Sequence, residues 1–286
     1  FSNLMNQGNG AYRVGVCAFS NNIEEYTHSE YVYTDLYGST VTDLEAQVRA
    51  FVERMYTVAL DRDADAEGCD FWAGLLLSGA QDGAGIAKGF IICDEFEANA
   101  YDDTEFVEVL YATFFDRVPS EEDLAFWLNT LEVGFSREYV TSRFVNSQEF
   151  FDLCAGFGIS RGMMNEDGSA INPGIFRFSE RLYVKVLGRS GEMDGMEFWS
   201  TGIASGAVSP VDAAKDFFTG PEYLGKNTTD EEYVAALYQT FMDREGEADG
   251  VAFWIEQLER GASRELALVD FANGPEFKNI MASFGL

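Results

Sequence analysis

The chain is poor in the side chains that carry most enzyme chemistry. Its 286 residues include one histidine, His28, and four cysteines, Cys17, Cys69, Cys93 and Cys154. One imidazole and scattered thiols without a C-x-x-C pair do not make a zinc ligand set, and histidine-based catalysis has almost nothing to work with. His28 lies among Glu24, Glu25 and Glu30, where surface hydration accounts for it. Positive charge is scarce too: 19 Lys and Arg stand against 49 Asp and Glu, for a formal charge of −30. Such a surface repels phosphate backbones and anionic lipid, so nucleic acid is not an expected partner, while divalent cations and basic partners fit it. No apolar run reaches the roughly 18 residues of a spanning helix, so membrane insertion is not expected. No signal peptide precedes Phe1, which reads as the start of a processed or trimmed chain.

Apolar and aromatic residues are abundant, at 47% and 15% of the chain, enough for packed cores and against disorder as the source of the acidity. They also repeat. Met55-Tyr56, Leu110-Tyr111, Leu182-Tyr183 and Leu237-Tyr238 are each followed by an arginine, Arg62, Arg117, Arg189 and Arg244. Phe-Trp pairs come next, ending on Trp72, Trp127, Trp199 and Trp254, which are all the tryptophans there are. Each unit then carries a further Phe (Phe90, Phe144, Phe217, Phe271) and closes on an acid–aromatic pair at Glu95, Glu149, Glu222 and Glu276. Trp-to-Trp spacings of 55, 72 and 55 residues make two pairs of units, offset by 127.

Within a unit the apolar period is helical. Phe106, Leu110 and Phe114 recur every four residues, and Leu124, Trp127, Leu128 and Leu131 share a face ahead of Gly134. Ser136-Arg137-Glu138 reads as a capped helix start. The expected fold is all-α: tandem helical repeat modules, four units of about four helices arranged as two pairs. Tyr and Trp are expected to be buried between the helices as core. Residues 46–159 form the first module (units 46–100 and 101–159), 160–175 a connector, and 176–286 the second module (units 176–226 and 227–286). Residues 1–45 differ: "YRVGVCAF" and "EYVYTDLYG" are β-branched and aromatic, which predicts a small N-terminal β-like segment.

The stretch "DRDADAEGCDFW" at 61–72 is where metal chemistry is most easily imagined. Asp61, Asp63 and Asp65 match positions one, three and five of a calcium loop, but Ala66 and Trp72 stand where Gly and a bidentate Glu belong. Across the units only the acid at Glu67, Glu122, Asp194 and Asp249 recurs. It is expected to favour the dipole of the following helix and to cap it, with the recurring arginines pairing to it or satisfying the end of the first helix. "GISRG" at 158–162 matches a nucleophile elbow, yet it follows a helical tail, and His28 precedes Ser160 in the wrong order for a hydrolase. The 49 acids offer many carboxylate pairs but no constellation, so no catalytic residue is assigned. The slots of Cys69 and Cys154 hold Leu124, Met196, Val251 and Met281 in other copies, as small core hydrophobes would.

"FVERMYTVALDRDADAEGCDFW…GFIICDEF" and "EFVEVLYATFFDR…FWLNTLEVGFSREYVTSRFVNSQEFFDLCAGFGISRG" resemble the DUF4214 repeat, over roughly residues 46–286. The pattern is distantly similar to phycobilisome linker domains, whose role is scaffolding. This chain departs from it at Val118–Asp123, without the usual glycine, and at Ser209-Pro210, without the Ser-Arg helix start. The resemblance implies a helical, non-catalytic module of an exported bacterial protein, located extracellularly or at the cell surface. It implies no active site and no cofactor. An exported setting suits a calcium ion at Asp61, Asp63 and Asp65, and permits a Cys69–Cys93 disulfide. The expected function is therefore structural or interactive (scaffolding, adhesion or assembly), through a protein partner or self-assembly. A carbohydrate-binding module is the alternative and requires tryptophans exposed on one side; an enzyme using acidic residues is the third reading.

Overall fold

A computed structural model describes residues 13–17, 31–35 and 41–286. Two strands, β1 (Arg13–Cys17) and β2 (Tyr31–Asp35), pair antiparallel with Gly15 opposite Tyr33. They fall inside the two runs that the β-branched pattern marks. His28 lies outside the described residues, as does the side chain of Cys17.

After Thr40 the regular elements are helices joined by loops, and each unit is built of four of them. The first unit has α1 (Val41–Arg54), α2 (Ala66–Leu77), α3 (Gly83–Ile91) and α4 (Asp94–Ala98). The second has α5 (Asp103–Phe115), α6 (Glu121–Glu132), α7 (Arg137–Val145) and α8 (Gln148–Gly156). The third has α9 (Pro173–Arg181), α10 (Met193–Ala204), α11 (Pro210–Thr219) and α12 (Pro221–Leu224). The fourth has α13 (Asp230–Leu237), α14 (Ala248–Glu259), α15 (Arg264–Asn273) and α16 (Pro275–Ser283). The chain divides into two compact bodies: one runs to Phe144 and takes up Glu149–Arg161, the other holds Val145–Gln148 and Gly162–Leu286.

Short polar residues start these helices. Asp102, Ser120 and Thr229 make reciprocal capping boxes with Glu105, Asp123 and Glu232. Ser136 accepts from Tyr139 N, as its sequence context predicts. Ser209 keeps that role in the third unit, accepting from Asp212 N, with Pro210 in the first helical position. The first helix of every unit stops on a left-handed residue: Asp61, Asp116, Gly188 and Asp243, with φ from 50 to 69°. That conformation ends a helix cleanly and is easiest for glycine.

In three units the first helix widens into a π turn before it stops, at Met55–Ala59, Leu182–Leu187 and Tyr238–Met242. Those are the units with Gly68, Gly195 or Gly250 early in the second helix. A Cβ at any of the three would lie 2.1–2.4 Å from the hydroxyl of Tyr56, Tyr183 or Tyr238. The second unit has Asp123 at this slot, and α5 runs on as an ordinary α-helix to Phe115. The glycine is thus a cradle for a tyrosine hydroxyl, and its loss goes with loss of the wide turn.

The stretch expected as a connector, 160–175, is folded into the two bodies. Gly83 N and Ala84 N donate to the carbonyls of Ser160 and Arg161 in the first. In the second, Ile171 N donates to Met163 O, Met164 bridges to Ala170, and α9 already begins at Pro173 behind the Asn172 cap. Met163, Met164 and Ile171 are buried, which is why the segment packs although its Gly and Asn content resembles a linker.

Candidate functional site

At the centre of each unit stands the same cluster. The arginine one residue past the left-handed turn reaches the closing glutamate with both arms of its guanidinium. Arg62 binds Glu95, Arg117 binds Glu149, Arg189 binds Glu222 and Arg244 binds Glu276, at 2.5–3.1 Å throughout. The same guanidinium lies 4.6–5.5 Å over the ring of Tyr56, Tyr111, Tyr183 or Tyr238. The aromatic ring shields one side of the bidentate pair and fixes the orientation of its fork. Pairing with Arg62 and Arg189 holds the carboxyls of Glu95 and Glu222 below the usual range.

This corrects the expected arginine partner. The recurring acid at Glu67, Glu122, Asp194 and Asp249 sits at the second position of α2, α6, α10 and α14, where it supports the helix dipole. Capping belongs to the slot two residues before it. Asp65 accepts from Gly68 N at 2.7 Å and Ser120 accepts from Asp123 N. At that slot Glu192 and Glu247 instead join Arg189 and Arg244 at 2.7 and 2.8 Å.

The aromatic stripe has two faces. The Tyr and the second Phe of each unit are buried, as expected of a core. Trp72, Trp127, Trp199 and Trp254 are only half-buried, each leaning on that Phe at ring-centroid distances of 5.0–5.5 Å. Trp127 Nε1 donates to Tyr111 Oη at 3.2 Å. The residues before them, Phe71, Phe126, Phe198 and Phe253, are 53–61% exposed. Successive helix positions are about 100° apart, so in these short helices only the Trp can turn inward and the Phe faces solvent.

The acidic run does not converge. Asp61 is the left-handed stop of the first helix, Asp63 is exposed, and Asp65, exposed as well, caps α2 by accepting from Gly68 N. Among the described residues no three His, Cys, Asp or Glu side chains come together as metal ligands. Asp61 and Asp65 belong to two different helix ends, the stop of the first helix and the cap of α2. Nor does the expected Cys69–Cys93 bridge form, since both thiols are free. Cys69 points from α2 toward Arg49 of α1, while Cys93, the residue before α4, donates to Phe90 O at 3.4 Å. Cys154 is wholly buried and its thiol is pushed well up by desolvation. Ser160 follows the turn after α8 with no strand before it, so the elbow motif has no elbow, and its hydroxyl is buried without a hydrogen bond.

A second pair of arginines escaped the repeat pattern because it recurs only once. Arg54 ends α1 and reaches Asp116 at 2.9 Å and the carbonyls of Ala112 and Thr113. Arg181 ends α9 and reaches Asp243 at 3.0 Å and Thr240 O at 3.1 Å. Arg137 and Arg264 likewise hold Asp103 and Asp230, and the carbonyls of Tyr101 and Thr228. The signal was available in the 127-residue offset, which places Arg54 over Arg181 and Arg137 over Arg264.

A four-helix unit copied in tandem, each copy locked by a Tyr–Arg–Glu cluster and presenting one bare Phe, defines an all-α repeat protein. The chain belongs to the family described as Domain of unknown function (DUF4214), which matches residues 32–100, 87–154 and 214–281, more than half of its length. Those matches fall on the first, second and fourth units. The third carries the same register. No curated protein matches the chain.

Proposed function

We propose that this chain is a non-catalytic interaction module of an exported bacterial protein, acting in scaffolding, adhesion or assembly at the cell surface or outside the cell. One observation carries the reading: four copies place a phenylalanine on the solvent side of the same helix, where the core makes no use of it. An exposed aromatic repeated at a fixed position is contact surface for a protein partner or a second copy. The absence of a catalytic role is supported by where the perturbed groups lie. Ion pairs of the repeat, helix caps and simple burial account for the acids, arginines and tyrosines whose titration is displaced, and no nucleophile–base pair stands among them. Among the described residues no helix is long and apolar enough to cross a membrane.

Replacing Phe71, Phe126, Phe198 and Phe253 together with Ser tests the contact surface. The variant is expected to keep its melting temperature within a few degrees, as surface changes do, and to lose self-association in sedimentation velocity or attachment to the producing cells. A variant that unfolds would make these residues part of the core. One that matches the native chain in both assays would leave the surface without a purpose. Fractionation of the producing bacterium is expected to place the protein outside the cytoplasm, and finding it within would remove the export reading.

A further inference from the structure

Four copies of one unit separate what the fold requires from what a single copy keeps for itself. On the first unit a cleft of about 470 Å³ opens between the end of the α1 turn, α2, α3 and the start of α4. Tyr56, Trp72, Phe90 and the Arg62–Glu95 pair line it, and their counterparts exist in every unit. Gly89, Cys93 and Asp94 also line it, and these are private. The slot of Gly89 holds Arg143, Asp216 and Asp270 elsewhere; that of Asp94 holds Gln148, Pro221 and Pro275. A Cβ at Gly89 would lie 2.5 Å from the Trp72 ring, so here the indole rests directly on the α3 backbone where the other units carry a charged side chain. Asp94 adds an exposed carboxylate that takes no ion pair among the described residues.

We propose that this cleft binds one uncharged pyranose ring of a glycan. A pyranose has a face of C–H groups and an edge of hydroxyls. The half-buried Trp72 ring supplies an apolar platform for the face. Asp94 and the lone pairs of Glu95 not used by Arg62 accept from the hydroxyls at the edge. Charge selects the ligand further. Carboxylates at the rim and the formal charge of −30 oppose uronic and sialic acids. A cationic ligand meets the Arg62 guanidinium, already 4.6 Å over the Tyr56 ring. Phe71 is not among the walls of the cleft, although its ring meets the Trp72 ring edge-on at 5.2 Å; Phe126, Phe198 and Phe253 lie in other units.

The four indole N–H signals of the full chain, read by ¹⁵N NMR, provide the test and its internal control. Glucose, galactose, mannose, N-acetylglucosamine, cellobiose and N,N′-diacetylchitobiose are titrated, with glucuronate as the anionic comparison. A neutral sugar is expected to move saturably the Trp72 signal, identified by its loss in Trp72→Phe, with a dissociation constant on the order of 1 mM; glucuronate is expected to move none. Equal affinity for sugar and disaccharide assigns the site to a single ring, and a disaccharide preference assigns it to a chain end. Asp94→Ala, at an exposed position, is expected to weaken binding about fivefold, and Gly89→Asp, the residue of the third and fourth units, to abolish it. A Phe126→Ser, Phe198→Ser, Phe253→Ser variant, which leaves Phe71 on the Trp72 ring, is expected to bind as the native chain does, so this proposal and the contact-surface reading fail separately. No movement at sugar concentrations on the order of 50 mM, joint movement of all four signals, or unchanged affinity in both Asp94→Ala and Gly89→Asp would overturn it.

Discussion

Arg54 in the first module and Arg181 in the second end the same helix and reach the same left-handed aspartate, yet their surroundings differ. The Arg181 side chain is 8% exposed and Arg54 16%. Burial pulls the Arg181 guanidinium below its ordinary range, with Asp243 opposing that shift. Alongside them stand the four arginines of the Tyr–Arg–Glu cluster, all 33–40% exposed. Features that recur four times hold a unit together; of those that recur twice, Arg54 and Arg181 tie one unit to the next within a pair, while Arg137 and Arg264 hold Asp103 and Asp230 of their own units. Val109 and Ala236 at the corresponding slots of the second and fourth units mark the limit of the second class.

The largest expected effect lies in that class. Removing a buried guanidinium leaves carbonyls without donors and a cavity, so Arg181→Ala is expected to cost about 3 kcal/mol and Arg54→Ala about half of that. Native-state hydrogen exchange, which reads each module separately, checks the difference. Equal losses would make the burial contrast irrelevant.

The clamps come next. Arg189→Lys keeps the charge but loses the fork, and is expected to cost about 1 kcal/mol in urea unfolding. Arg117→Lys is expected to match it, because the geometry is the same in each unit. Acid sharpens the same point. Glu95 and Glu222 are held low first by hydrogen bonds from Arg62 and Arg189, as Glu192 and Glu247 are by Arg189 and Arg244. A carboxyl with a depressed folded-state value contributes fully above its ordinary value near 4.5 and loses that contribution as pH falls through the folded value. Melting temperature is therefore expected to drop below about pH 4.5, and less steeply in a Glu95→Gln, Glu222→Gln double variant. Parallel curves would show that the clamps do not contribute.

The repeat made most of the fold legible. Trp, Tyr, Arg and Glu at fixed spacing mark four helical units, and the structure supplies four helices to each. Partners across space were less legible. Arg62 lies close in sequence to Glu67, and nothing in the local pattern reveals that the chain returns 33 residues later to set Glu95 against it. The Phe-Trp pair misled differently, since two adjacent aromatics look equally apolar and only the helix rotation decides which faces the core. The missing glycine of the second unit was visible, but its meaning was not, because the cradle exists only once Tyr56, Tyr183 and Tyr238 have swung over it. The cleft of the first unit rests on Gly89, and the absence of a side chain leaves little trace in a pattern of apolar residues.

The smallest expected effect concerns the acidic run itself. If Asp61 serves only as the stop of α1, its carboxylate is dispensable and its left-handed backbone is a burden that glycine would relieve. Asp61→Gly is then expected to stabilise the chain by about 0.5 kcal/mol, whereas Gly188→Ala at the same slot of the third unit is expected to cost about 1 kcal/mol. The two changes should move thermal midpoints in opposite directions. Asp116 and Asp243 occupy the same slot but hold Arg54 and Arg181, so replacing them with Gly sets relief of the backbone against loss of an ion pair. A gain at Asp61 absent at Asp243 would distinguish the turn that merely ends a helix from the turn that also joins two units. A loss at Asp61 comparable to that at Asp243 would mean that the carboxylate has a partner of its own.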